Sequence, residues 1–300
     1  MQGGDLPGEY EVKDEPPICG VGGNNSEVED AESELGSEEL QVDASKTIVN
    51  ASKTIPLTEH RSNPSIEECP LCFLPYPMNG VGSTTYMKCC GKIICSGCVL
   101  AMEEEEAKLS KTGSCPFCRK PRLSSYTDEE RIQMVQNRVD VGDAVSIFEM
   151  GTYHYRGLVG LPVDLEKAEE MFVEAAELGE VKAHHMLGDM YCGHRKEDMQ
   201  KAMHHYSVAA ELGYAPSQNN LGLLELYLGN GSSAMVQFSA AARSGLSVAM
   251  ENLREGVAIG YITKEECQKL EEEYSRAVEA MDSMHRCSAA EMIGRMTIGT

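Results

Sequence analysis

Cys69-Pro70-Leu71-Cys72 is the first part of a run of eight cysteines that decides the fold of the centre of the chain. The others are Cys89-Cys90, Cys95-Ser96-Gly97-Cys98 and Cys115-Pro116-Phe117-Cys118. Two cysteines separated by two residues can turn back on one metal ion, and tetrahedral zinc takes four ligands. The run therefore predicts two zinc sites. Because the segment has little apolar content, metal binding should supply most of its folding free energy.

The adjacent pair Cys89-Cys90 departs from the two-residue spacing of the other six cysteines. No histidine lies between residues 66 and 123, so a mixed site would need a histidine from outside the segment. Adjacent ligands on one ion are sterically tight. Two arrangements stay open: both cysteines bind the second ion, or only Cys90 binds it and the site has three thiolates.

The order of the cysteines resembles a RING finger of the all-cysteine type, with four cysteines at each zinc. The resemblance rests on the long first loop, on Cys90-Gly91 followed by Ile94-Cys95, and on the closing Cys115-Pro116-Phe117-Cys118-Arg119. RING fingers usually have a histidine where this chain has Lys92, whose ammonium group cannot bind zinc. The family's cross-brace implies a first site at Cys69, Cys72, Cys95 and Cys98. It implies a second at Cys89, Cys90, Cys115 and Cys118.

The same resemblance implies a function, because most RING fingers are ubiquitin ligases. They carry no nucleophile and act by holding a ubiquitin-charged conjugating enzyme in a productive geometry. By position, the residues expected to contact the conjugating enzyme are Leu71, Met102 and Pro116. Arg119 would be the cation that bridges ubiquitin and that enzyme, a task that suits the planar guanidinium group.

Each of these residues also has a purely structural interpretation. Leu71 and Met102 could cover the zinc core, Pro116 could shape a turn, and Arg119 could belong to a solvated basic run. The alternative to a ligase is a non-catalytic, zinc-stabilised scaffold for protein interactions.

The second half of the chain repeats with a period of 34 residues or slightly less. The string AAELG ends at Gly179 and again at Gly213, and AARSG ends at Gly245. Before each string, apolar or small residues recur at helical spacing, so each copy predicts an amphipathic helix. The expected N-cap residues are Asp164, Asp198 and Asn230, and the three glycines should end the helices.

These units resemble Sel1-like repeats, a branch of the tetratricopeptide-like repeats. The residues that carry the resemblance are Leu187-Gly188-Asp189-Met190-Tyr191, Lys167-Ala168 and the AAELG strings. The resemblance implies a solenoid of stacked helical hairpins that recruits a protein substrate or partner. The alternative is a structural spacer or a dimerisation element.

The expected fold is mainly α: a small two-zinc cross-brace domain, then an α-solenoid, after a disordered acidic tail. In residues 1–64, 14 acidic residues stand against 4 basic ones, which is typical of disorder. The predicted segments are the tail (1–64), the zinc finger (65–123), a linker helix (124–142), the repeats (143–262), a capping helix (263–285) and a flexible tail (286–300).

Charge and composition exclude several other classes of function. With 26 basic and 48 acidic residues, the net charge of −22 would repel a phosphate backbone, so no nucleic acid is expected as partner. The sequence contains no apolar run long enough to span a membrane, and residues 1–17 do not resemble a signal peptide. We therefore expect a cytoplasmic or nuclear protein whose clustered cysteines bind metal.

Overall fold

The computed structural model describes residues 68–73, 84–109, 113–121, 126–192 and 196–280. The acidic tail predicted over 1–64 and the tail predicted over 286–300 lie outside the described residues. Within the described ranges the chain is mainly helical, with one two-stranded sheet and ten helices. None of those helices combines the length and the apolar character that crossing a bilayer requires.

The cysteine-rich segment forms a β-hairpin followed by a helix. Strand β1 (Thr84–Met87) pairs antiparallel with β2 (Lys92–Cys95), and α1 (Ser96–Leu109) begins directly after β2. The turn between the strands is closed by bonds from the backbone N–H groups of Cys90 and Gly91 to the Met87 carbonyl. Gly91 has a φ of 72°, which glycine adopts at low cost.

Nine helices follow. Each of the first eight packs on its neighbour in the chain, and the ninth forms an ion pair with the eighth. They are α2 (Asp128–Val139), α3 (Ala144–Arg156), α4 (Leu165–Glu177), α5 (Val181–Tyr191), α6 (Lys196–Glu211), α7 (Ala215–Tyr227), α8 (Gly231–Arg243), α9 (Ser247–Ala258) and α10 (264–280).

The ends of these helices confirm most of the predicted caps. Asp164 accepts a 2.9 Å hydrogen bond from the Lys167 N–H at the start of α4. The glycines that follow α4, α6 and α8 all have a left-handed φ, between 81° and 91°. One N-cap prediction was wrong, because Asp198 lies inside α6, which begins at Lys196. Asn230 does occupy the N-cap position of α8, but its side-chain amide donates to Glu225 and makes no capping bond.

A glycine opposite an aromatic ring sets the distance between the helices of three successive pairs, which are α3 with α4, α5 with α6, and α7 with α8. A Cβ added to Gly188 would lie 2.5 Å from the ring of Tyr206, which is fully buried. The same contact recurs between Gly151 and Phe172 and between Gly222 and Phe238. The fourth pair lacks it: Arg254 follows Leu253 where a glycine follows Leu187 and Leu221, and its Nε donates to Glu271 of α10 at 2.8 Å.

Two histidines join α5 to α6. The Nδ1 atoms of His184 and His205 lie 3.0 Å apart in a hydrogen bond, in which one ring donates and the other accepts. Burial, followed by the charges of His184, His204 and Lys201, lowers the pKa of His205 from 6.5 to about 4. Burial and His204 also lower the pKa of His184. A second proton would remove the acceptor of this bond.

Replacing Gly222 by alanine should lower the free energy of unfolding by about 1–3 kcal/mol, because the new Cβ would overlap the Phe238 ring. Urea denaturation followed by far-UV circular dichroism measures the effect. The same substitution in a Phe238→Leu background should cost less, because the ring is gone. An equal cost in both backgrounds would contradict the glycine–aromatic interpretation.

Acidification should destabilise the repeats through His205. Its pKa is lower in the folded chain than in the unfolded chain, so the unfolded chain binds more protons, and stability falls as the pH drops from 6.5 towards 4. His205→Gln should reduce that fall, measured by urea denaturation above and within this range. His154→Gln, at a half-buried histidine of α3 away from this pair, is the control, and an unchanged pH dependence in His205→Gln would refute the assignment.

Candidate metal centre

The hairpin separates the cysteines into two groups. Cys89 and Cys90 lie in its turn, whereas Cys95 ends β2 and Cys98 lies in the first turn of α1. Because a strand advances about 3.3 Å per residue, Cys90 and Cys95 are too far apart to share one ion. The two ends of β2 therefore supply cysteines to two different clusters.

The first cluster contains Cys69, Cys72, Cys95 and Cys98, whose sulfur atoms all lie within 4.8 Å of one another. All four side chains are buried. They form one hydrophobic core with Ile94, Ala101 and Met102. The first cluster is thus the centre of the small module.

The second cluster contains Cys89, Cys90, Cys115 and Cys118, with sulfur atoms also within 4.8 Å of one another. Cys115 is buried, and the other three side chains are half-buried. The sulfur atoms of Cys89 and Cys90 both belong to this cluster, so the structure favours the arrangement in which both can bind the second ion. Whether they bind an ion stays a prediction.

The spacing of the sulfur atoms fits zinc. A Zn–S bond of about 2.3 Å places the sulfur atoms of a tetrahedral site about 3.8 Å apart. In the first cluster the Sγ atoms of Cys69 and Cys98 are 3.8 Å apart, and those of Cys72 and Cys95 are 3.7 Å apart. In the second, Cys90 and Cys115 are separated by 3.7 Å. Among the described residues, no further group of three or more such side chains comes together.

The thiols of one cluster also influence each other's protonation. Hydrogen bonds from Cys95 and Cys98 lower the pKa of Cys69, whereas the bond with Cys69 raises the pKa of Cys98. Four thiols this close cannot all ionise by themselves, because their negative charges would repel. A divalent cation would remove that repulsion, and its binding would release protons.

The Cys-x2-Cys turns that begin at Cys69 and at Cys115 have the same backbone geometry. The N–H of Phe73 donates to the Cys69 carbonyl at 2.8 Å, and the N–H of Arg119 donates to the Cys115 carbonyl at 2.9 Å. Both residues that follow the pairs are left-handed, with φ values of 62° and 60°. Non-glycine residues seldom adopt this conformation, so each turn is held by its surroundings.

The predicted partner-binding residues lie in different environments. Leu71 is half-buried against the first cluster, whereas Pro116 and Arg119 are exposed. Met102 is only 6% exposed because it packs into the core of the module, so it offers little surface to a partner. Two exposed apolar side chains that the sequence analysis did not single out are Phe73 and Leu100, at 58% and 49% exposure.

Sequence reasoning also missed the contacts between the hairpin and the helices that follow it. The hydroxyl groups of Tyr86 and Ser146 are 2.8 Å apart, and Lys88 Nζ donates to Glu149 Oε2 at 2.6 Å. Each pair is separated by about sixty residues of sequence. Only the position of Tyr86 beside the apolar Met87 in β1 could have indicated a second contact face.

Comparison with known proteins identifies the helical part. The sequence model of the Sel1 repeat matches residues 144–180 and 181–214. The chain carries Sel1 repeats. A solved Sel1 repeat protein from Oxalobacter formigenes is 27% identical over 49% of this chain and 64% of its own, with a TM-score of 0.42. The Escherichia coli protective antigen c5321, of SLR fold, is 19% identical over 65% of this chain and 44% of its own, with a TM-score of 0.42.

Curated relatives of parts of the chain belong to the ubiquitin pathway. The E3 ubiquitin-protein ligases GW2 of Oryza sativa and DA2 of Arabidopsis thaliana are 42% and 39% identical over 66 and 59 residues. The ERAD-associated E3 ubiquitin-protein ligase component HRD3A of Arabidopsis thaliana is 31% identical over 70 residues. These stretches cover 20–23% of this chain and only 10–13% of the relatives.

The zinc content of the purified protein tests the two clusters. We expect two zinc ions per chain and about one in Cys89→Ser, because loss of one of four thiolates weakens the second site. Elemental analysis under native conditions gives the count. Cys267→Ser removes a buried cysteine outside both clusters and should keep two ions. Two tightly held ions in Cys89→Ser would show that Cys89 is not a ligand.

Proposed function

We propose that this protein is a RING-type E3 ubiquitin ligase with two structural zinc ions. The cysteine module would hold a ubiquitin-charged conjugating enzyme, and the Sel1 repeats would bind the protein substrate or partner. The observation that carries the proposal is the pair of four-cysteine clusters, interleaved along the chain, in which three sulfur–sulfur distances of 3.7–3.8 Å match the spacing at tetrahedral zinc. The similarity to parts of GW2 and DA2 supports the same function.

Zinc would be structural here, because each cluster offers four thiolates and leaves no position for water or substrate. With the ions in place, the two Cys-x2-Cys turns become fixed points on the module surface. Leu71 and Pro116 lie inside those turns, and Phe73 and Arg119 follow them directly. The metal sites thereby position the side chains that would meet the conjugating enzyme.

The proposed contact surface combines apolar side chains with one cation. Leu71, Phe73, Leu100 and Pro116 would supply the apolar contact, and Met102 would support it from the core. The exposed Arg119 can donate several hydrogen bonds at once to carbonyl groups of ubiquitin and the conjugating enzyme. The chain's own task would be to restrict the orientation of the thioester, which accelerates its attack by a substrate lysine.

The Sel1 repeats would recruit the protein to be modified. Repeats of this kind stack into an extended surface on which partners bind. HRD3A, a component of an E3 ligase, is related to part of this chain, which agrees with a recruiting role in the ubiquitin pathway. The alternative function, a zinc-stabilised scaffold, would require the same fold but no productive contact with a conjugating enzyme.

Arg119→Ala should slow ubiquitin release from a charged conjugating enzyme by about 10-fold or more, the loss expected for a hydrogen bond to a charged or strongly polar group. Discharge of labelled ubiquitin to free lysine, across a panel of conjugating enzymes, measures this rate. Lys120→Ala, at the exposed neighbour, is the matched control.

Leu71→Ala should reduce the same rate through weaker binding of the conjugating enzyme. Wild-type protein that holds two zinc ions but accelerates discharge with no enzyme of the panel would favour the scaffold. Discharge that is unaffected by both Arg119→Ala and Leu71→Ala would refute the mechanism proposed for these residues.

A further inference from the structure

The turn that carries Cys89 and Cys90 is held from both sides by the helices that begin the repeat stack. Lys88 directly precedes the pair and Gly91 directly follows it. Lys88 contacts α3, and Gly91 lies against a side chain of α2. The two ligands that sequence analysis found hardest to assign are thus enclosed by contacts from outside the cysteine module.

Strand β1 divides its side chains between the module and the repeats. Met87 packs against the core of the first cluster. Its neighbour Tyr86 points to the other face, because successive strand residues alternate. Lys88 follows the strand directly, and its side chain contacts α3. Tyr86 forms a 2.8 Å hydrogen bond with Ser146, whose side chain is fully buried.

Helix α3 presents one face to this strand. Ser146, Glu149 and Tyr153 recur at the three- and four-residue spacing of a helix face. The ammonium group of Lys88 donates to Glu149 Oε2 at 2.6 Å and to the Tyr153 hydroxyl at 3.0 Å. The side chains of Lys88 and Glu149 are 21% and 26% exposed, so water screens this ion pair only partly.

Helix α2 closes the other side of the turn. A Cβ on Gly91 would lie 2.2 Å from Nη2 of Arg138, so the guanidinium group rests directly on the backbone of the turn. Arg138 is held there by an ion pair with Asp143. Asp143 also caps α3 by accepting a hydrogen bond from the N–H of Ser146, the residue whose hydroxyl group bonds Tyr86.

The second cluster lacks the support that the first cluster has. The first cluster's cysteines are at most 3% exposed and belong to a hydrophobic core with Ile94, Ala101 and Met102. Cys89, Cys90 and Cys118 are half-buried. Two adjacent ligands on one ion require one particular turn conformation, and a short hairpin turn alone would sample others.

We infer that α2 and α3 hold the Cys89-Cys90 turn in its metal-binding conformation, and that Tyr86, Lys88, Glu149 and Arg138 are positioning residues of the second cluster. The inference rests on the proposed zinc binding. Groups that orient ligands without touching the ion commonly change metal affinity by about 10- to 100-fold. By linkage, zinc at the second cluster should in turn stabilise α2 and α3.

The rate at which a competing chelator removes zinc from the full-length chain tests this inference. Lys88→Met and Glu149→Gln should each accelerate the loss of one of the two ions by about 10- to 100-fold and leave the other unchanged. Mass-spectrometric mapping of thiol alkylation identifies the site: Cys89, Cys90, Cys115 and Cys118 should react first. Glu149→Gln is the decisive variant because it lies on α3, outside the cysteine module.

Matched controls change the same residue types away from the turn. Lys92→Met alters an exposed lysine of the same hairpin, and Glu177→Gln alters an exposed glutamate of α4. Both should release zinc at the wild-type rate. If Lys88→Met loses both ions because the module unfolds, the zinc release rates of Glu149→Gln and Tyr86→Phe decide whether the helices position the second cluster.

Two results would overturn the inference, and they are distinguishable. Wild-type release rates in Glu149→Gln, Tyr86→Phe and Lys88→Met would show that the helices do not position the second cluster, while zinc binding itself would stand. A wild-type chain that binds fewer than two ions would refute the second zinc site, and with it both the inference and that part of the proposed function.

Discussion

The convergence of four cysteine sulfur atoms at each end of a short hairpin is the constraint on which the rest of the module depends. The hairpin has four residues in each strand, and two such strands have little stability in water by themselves. The first cluster compensates by uniting Cys69, β2 and α1 in one buried core. The second cluster joins the hairpin turn to Cys115 and Cys118. The two clusters thus connect the hairpin to the segments before and after it without a large apolar interior.

The repeats meet a different constraint, which is the closeness of neighbouring helices. Each of the first three pairs places a glycine of one helix under an aromatic ring of the next, and alanines fill the remaining contact. Added atoms in such an interior cost free energy because it is already filled. The pattern ends at α9, where Arg254 stands in place of the glycine and forms an ion pair with Glu271 of α10.

Polar contacts join the module to the repeats. Tyr86 bonds Ser146, Lys88 bonds Glu149, and the guanidinium group of Arg138 lies against Gly91. In the proposed ligase, this interface would fix the orientation of the conjugating enzyme relative to the repeats. A substrate bound to the repeats would then meet the thioester in a restricted range of positions.

The sequence by itself determined the features that depend on local spacing. These are the N-cap of Asp164, the left-handed glycines after the repeat helices, and the three close cysteine pairs. The grouping of the cysteines came from family resemblance, and the structure brings the same residues together. Two cap expectations did not hold in full: α6 begins before Asp198, and Asn230 occupies its N-cap position but bonds Glu225.

Only the tertiary structure decided how Cys89 and Cys90 are presented and what surrounds them. Their turn is flanked by Lys88, which contacts Glu149, and by Gly91, which contacts Arg138, and both partners lie far along the chain and carry no periodic or motif signal. Burial likewise decided that Met102 belongs to the core while Arg119 stays exposed. The spacing of side chains along a helix or strand depends on neighbouring residues and can therefore be predicted from the sequence. The tertiary contacts of a single side chain depend on which distant segments the whole fold brings together.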